Sequence, residues 1–222
     1  MPIRWITLCS TIIVFVCGCS FPTASRPQQP AVLIDPGHGG PDGGAVAVDG
    51  TLEKDINLAI SLYLRDFLAV SGVPVAITRD SDISLHSEDA VTIREKKISD
   101  LHHRLALYEQ SAMVISIHQN RFEQPKYRGA QVFYSANNAD GELMAQAIQQ
   151  SVIDHLQPDN ARKIKAATDS VFLMRQATVP AVLVECGFVS NPQELALLND
   201  DSYRRKMAWA IMMGYWNYSL EK

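Results

Sequence analysis

Apolar residues recur along the chain with two different periods, and the changes of period mark out alternating strands and helices. Ala31 to Ile34 is a short apolar run stopped by Pro36-Gly37, which reads as a buried strand with His38 at its carboxyl end. Ile56, Ala59, Ile60, Tyr63, Leu64 and Phe67 follow a 3.6-residue period, so a helix is predicted over Glu53 to Ser71, closed by Gly72 and followed by a strand over Val73 to Thr78. Arg79 to Glu95 is polar and acidic and reads as a loop, either a solvated connector or the border of a cleft. A helical pattern with Leu101, Leu105 and Tyr108 resumes over Ile98 to Ser111, and Met113 to His118 repeats the design of an apolar strand ending in histidine. Arg128 to Tyr134 reads as a strand, and Glu142 to Leu156 as a helix with Met144, Ala147, Ile148, Val152 and Leu156 on one face. After the polar, basic stretch Pro158 to Asp169 come Val171 to Met174, a turn, and a strand over Ala181 to Glu185. Asn191-Pro192 starts a short helix and Tyr203 to Tyr218 forms the last. This alternation, with no internal repeat, implies an α/β fold: a mostly parallel sheet with helices on both faces.

Composition narrows the class. With 47% hydrophobic residues in 222, one substantial core is expected, so residues 31–222 are taken as a single domain. A net charge of -4 offers no basic patch for nucleic acid. Residues 1–19 differ from the rest: Arg4 precedes an apolar core, Ile6 to Val16, that is shorter than a spanning helix, which favours an export signal over a permanent anchor. Val16-Cys17-Gly18-Cys19 resembles a bacterial lipobox with an atypical second position, so lipidation at Cys19 and a retained anchor are both open, and residues 20–30, with three prolines, read as a tether. Three of the four cysteines lie in this leader, leaving Cys186 without a disulfide partner after processing. Cys186 is read as a small strand-end residue in preference to a nucleophile.

The candidate chemistry sits where strands end. His38, His118 and Glu185 each occupy the carboxyl end of a strand, the edge at which open α/β sheets bind ligands, and Glu53 starts a helix just after a Gly-rich turn. Two imidazoles and two carboxylates on one rim fit a metal site with His, Glu and His as ligands and one Glu left free as a base. His86, His102, His103 and His155 lie off the strand ends and are taken as surface or packing residues.

Four spaced motifs carry a family resemblance: Asp35-Pro36-Gly37-His38-Gly39-Gly40, Glu53-Lys54, Ser116-Ile117-His118-Gln119-Asn120 and Glu185-Cys186-Gly187-Phe188-Val189-Ser190-Asn191. In this order the chain resembles the zinc-dependent N-acetylmuramoyl-L-alanine amidases from about Val32 to Tyr218. Gly40 to Val46, Gly129 to Tyr134 and an exported single domain make it most similar to the spore-cortex, germination-associated members. The resemblance implies a three-layer α/β/α fold around a mainly parallel six-stranded sheet, one Zn2+ held by His38, Glu53 and His118, and Glu185 as the catalytic carboxylate. It also implies peptidoglycan as substrate, cleaved between N-acetylmuramic acid and L-alanine outside the cytoplasmic membrane, in cell-wall remodelling or in cortex maturation with muramic-lactam formation. Gln119 and Cys186 depart from the family's usual residues. Asp35 and Asn57 are candidates to orient the ligands, Asn120 to contact substrate, and Arg162, Lys163 and Lys165 to meet carboxylates of the stem peptide. The competing readings are a catalytically idle peptidoglycan-binding protein and a zinc peptidase cutting within the stem. The resemblance to small cortex-type amidases implies either an accessory protein partner or a separate step for activity, because the sequence carries no wall-binding module to concentrate substrate.

Overall fold

The structure, a computed structural model, describes residues 31–222. The expected leader over residues 1–19, with Cys19, and the tether over 20–30 lie outside the described residues. Among the described residues, no helix is long and apolar enough to cross a membrane.

The chain enters through strand β1 (Val32–Pro36), all five residues of which are buried. Helix α1 (Glu53–Val70) leads to β2 (Val75–Ile77), parallel to β1 on one edge, and α2 (Ile93–Tyr108) leads to β3 (Val114–Asn120), parallel to β1 on the other. Right-handed crossovers in opposite directions place their helices on opposite faces, so the β1–β3 boundary is a topological switch point, where such sheets bind ligands. The rest of the chain adds β4 (Gln131–Tyr134), α3 (Ala139–His155), β5 (Lys165–Ala166), α4 (Phe172–Gln176), β6 (Ala181–Phe188), α5 (Pro192–Asn199) and α6 (Asp201–Leu220). The six strands lie in the order β2-β1-β3-β6-β4-β5. β6 runs parallel to β3, whereas β4 pairs antiparallel with β6 and carries β5 in its own direction. The expected α/β/α architecture is therefore present.

Alternation along each strand sorts side chains between two cores. Val32, Ile34, Ile115, Ile117, Val182, Val184 and Cys186 face α1, α3 and α6, packing on Ile56, Ile60, Leu64, Met144, Ile148 and Ile211. Leu33, Val114, Ala181 and Leu183 face α2 and α4 through Tyr108, Leu173 and Met174. Burying each such aliphatic side chain contributes about 1.5–3 kcal/mol. By the same alternation Asp35, Ser116, His118 and Glu185 belong to the second face, where the apolar core gives out towards the carboxyl ends of the strands.

Several boundaries differ from the sequence reading, among them the ends of β3 and β6, which run past His118 to Asn120 and past Glu185 to Phe188. α2 begins at Ile93, five residues before Ile98, because Thr92 and Glu95 form a capping box: Thr92 Oγ1 accepts from Glu95 N at 3.2 Å and Glu95 Oε2 accepts from Thr92 N at 2.8 Å. That first turn is exposed and lacks an apolar period, so periodicity does not reveal it. The basic stretch after Pro158 contains the two-residue edge strand β5, and Phe172–Gln176 is a short helix.

Candidate metal centre

β1 ends on Pro36, and the chain then turns under the end of β3. A Cβ on Gly37 would lie 2.2 Å from the His118 ring, so only glycine lets that imidazole rest on the turn. His38 adopts φ 63, a left-handed conformation that costs a non-glycine residue about 1 kcal/mol or more. Two buried arginines hold it there through consecutive carbonyls. Arg79 donates to Pro36 O at 3.1 Å and Gly37 O at 3.0 Å, and Arg104 donates to Pro36 O at 2.8 Å and His38 O at 2.7 Å. Arg79 also donates to Lys54 O at 2.9 Å, tying the turn to the first turn of α1. Asp42 Oδ2 lies 3.1 Å from His38 Nδ1.

Glu53 is the first residue of α1, where the helix dipole favours a carboxylate. Its Oε2 accepts from Ala45 N at 2.8 Å, and its Oε1 from Gln119 N at 3.0 Å and Asn57 Nδ2 at 3.3 Å. Oε1 also lies 3.0 Å from His118 Nδ1 and 3.4 Å from His38 Nε2. One donor atom from each of His38, Glu53 and His118 thus falls within 4.8 Å of the others. Burial works against a charge on Glu53, but hydrogen bonds from both histidines outweigh it and hold the carboxyl well below the usual range. Burial likewise opposes a charge on His38, and Asp42 and Glu53 overcome it, raising the imidazole to about 9.

Glu185 is the parallel-register partner of His118 and lies on the same face of the sheet. It is not one of the three clustered donors. Its Oε2 is buried without any hydrogen-bond partner, which is costly unless a ligand completes it. Burial, helped by the Glu53 carboxylate, pushes Glu185 up to about 8, against the pull of His38 and Arg162. On its other side Glu185 pairs with Gln131 of β4.

Of the residues proposed to orient the ligands, Asn57 bonds to both Glu53 and Gly37 O, and is completely buried. Asp35 touches neither histidine. It accepts from Arg104, Thr78, Tyr108 and Ser116, a closed buried network beneath the His38 turn. Gln119, one of the two departures from the family pattern, donates to Asn57 Oδ1 at 3.1 Å. Asn120 lines a cleft of ≈ 680 Å³ that continues from the strand ends. Lys163 and Lys165 are exposed, whereas Arg162 is half-buried. Arg79, Arg104, Asp42 and Gln131 escaped the sequence reading; only the i, i+4 stripe Asp100, Arg104, Tyr108 on α2 signals any of them. Cys186 is fully buried on the opposite face, and burial pushes its thiol far up, which suits a core residue and not a nucleophile. The other four histidines pack or bond elsewhere: His86 to Ser84, His103 to Ser99 O, His102 against Phe172 and His155 against Trp209.

Comparison with known proteins identifies the lineage. The N-acetylmuramoyl-L-alanine amidase family profile matches residues 32–215. The germination-specific N-acetylmuramoyl-L-alanine amidase of Bacillus subtilis is 39% identical over 193 residues, 86% of this chain and 80% of the relative. The N-acetylmuramoyl-L-alanine amidase AmiA of Escherichia coli is 30% identical over 90% of this chain and 80% of its own length. Among solved structures, the CwlD amidase from Clostridioides difficile, determined in complex with the GerS lipoprotein, superposes with a TM-score of 0.83 at 40% identity, covering 87% of this chain and 100% of that one. The chain belongs to the N-acetylmuramoyl-L-alanine amidase family.

Proposed function

We propose that the chain is a zinc hydrolase that cleaves the amide between the lactyl group of N-acetylmuramic acid and the L-alanine of the peptidoglycan stem. The observation that carries this reading is the convergence of His38, Glu53 and His118 beside Glu185, whose inner oxygen has no partner. Two imidazoles and one carboxylate are donors that zinc accepts, and three protein ligands leave a coordination position open, so the residues present fit the ion. When bound, zinc supplies Lewis acidity towards the amide carbonyl and lowers the pKa of water.

The protein's own residues do the rest. Glu185 takes the proton from the attacking water and passes it to the departing alanine nitrogen, and burial raises its proton affinity above that of a free carboxylate. Asp42 holds Nδ1 of His38 and leaves Nε2 facing Glu53 Oε1. Asn57, Ala45 N and Gln119 N fix the Glu53 carboxylate so that it does not rotate away from the imidazoles.

Similarity to a germination-specific amidase supports a role in cortex maturation, and the leader-like sequence of residues 1–19 supports action outside the cytoplasmic membrane, with attachment through that segment. A solved relative bound to a lipoprotein supports an accessory protein partner here as well. The test is mass spectrometry of muramoyl-peptide digests. The expected products are a peptide with a free L-alanine amino group and an unsubstituted lactyl carboxylate, lost with a chelator and restored by zinc. Cleavage within the stem would instead favour the peptidase reading, and binding without release the idle one.

A further inference from the structure

Of the three basic residues that the sequence offers for stem-peptide carboxylates, the structure holds one beside the rim. Arg162 reaches the sheet from the connection between α3 and β5, and its guanidinium is fixed on three sides. Nε donates to Arg128 O at 2.8 Å, Nη1 donates to Gln131 Oε1 at 2.7 Å, and the group lies 4.5 Å over the centroid of the Phe188 ring. Gln131 is the cross-strand partner of Glu185, so this charge sits one side chain beyond the proposed base. It influences Glu185 and Glu194 at a distance. Among the described residues it forms no ion pair, and Nη2 has no protein acceptor.

A held guanidinium with a free edge and no carboxylate in ion-pair contact among the described residues is prepared for a planar anion, because its rotamer entropy has been lost before the ligand arrives. Arg162 is also part of the wall of the ≈ 680 Å³ cleft, together with Asn120, Tyr127, Gln131 and Lys165. Asn120, two residues past His118, and Gln131, across from Glu185, put one end of that cleft at the site.

We propose that Arg162 is a specificity-determining residue that binds the free α-carboxylate of the stem peptide's second residue. This rests on the reading of the reaction as muramoyl-L-alanine cleavage. In that substrate the residue after L-alanine is a γ-linked D-glutamate, and its α-carboxylate lies roughly two residues, about 7 Å, from the scissile bond. Gln131 stands one strand spacing, about 4.8 Å, from Glu185, with Arg162 beyond it, so the lengths agree. Replacing the carboxylate by a carboxamide removes the charge while preserving the shape, and the site then discriminates between the two.

The experiment uses the full zinc-loaded chain and two muramoyl tripeptides that differ only in having an α-carboxylate or an α-carboxamide at the second residue. The parent is expected to prefer the acid by about tenfold or more in kcat/KM, mainly through KM, as for one charge-assisted hydrogen bond. Arg162→Gln is expected to bring the acid down to the level of the amide, and Lys206→Gln, which removes an exposed charge on α6, to keep the parent's preference. Equal kcat/KM for both substrates in the parent overturns the proposal, as does Arg162→Gln slowing both by the same factor. If Arg162→Gln does not fold, Arg162→Lys and the parent's own ratio decide. A parent that cleaves neither substrate overturns the underlying reaction and this assignment with it, a result distinct from cleavage without preference.

Discussion

Glu185→Gln is expected to lower kcat by about 10²–10⁴-fold, the range associated with a lost general base, while keeping the parent's zinc content. The amide matches the carboxylate in size but cannot take a proton. Glu185 Oε2 has no partner in the protein, so no hydrogen bond is lost there, and a carboxyl that burial pushes up to about 8 costs stability above its unfolded pKa, a cost the neutral amide does not carry. Its Tm is therefore expected to equal or exceed that of the parent. Product release from muramoyl peptides, zinc per chain and Tm are the three readouts. Turnover at the parent rate would remove Glu185 from the reaction, and loss of zinc would make it a ligand.

The second large effect is on stability. Arg104 is 2% exposed and bonds Asp35, Asp100, Pro36 O and His38 O. Arg104→Met leaves the Asp35 carboxylate buried and unpaired, and removing one partner of a buried pair costs about 3–5 kcal/mol. Burial raises the pKa of Asp35, but Arg104, Tyr108 and Thr78 outweigh it and hold the group at about 2, against 3.8 for the free side chain. A depressed carboxyl contributes stability that is complete above its unfolded pKa and is lost as the pH falls through its folded one. The gap between parent and variant in denaturant unfolding is thus expected to be widest above about pH 4 and to narrow towards pH 2. A loss below about 1 kcal/mol at pH 7 would show that the network beneath the His38 turn does not carry the energy assigned to it.

What the sequence revealed, and what it hid, divides along a physical line. The end of β1 is legible because the apolar run Val32 to Ile34 stops at Pro36-Gly37, which sets His38 on the rim, whereas β3 continues two residues past His118. Asn57 was legible from its position one turn after Glu53. The buried arginines were not, since Arg79 and Arg104 act on backbone carbonyls far away in sequence, and nothing local marks a carbonyl that needs a donor. Asp35 was expected near the ligands and instead anchors the layer below, because strand alternation turns it towards α2. Arg162 reads as one member of a basic loop, and only the antiparallel pairing of Gln131 with Glu185 brings it beside the site.

The proposal that one ion is shared by residues from β1's turn, α1 and β3 is tested most directly by anomalous diffraction at the zinc edge on crystals of the zinc-loaded chain. The account predicts a single peak bounded by the side chains of His38, Glu53 and His118, with Glu185 facing it and not bound. A peak elsewhere, or one that lacks any of those three side chains, would contradict it.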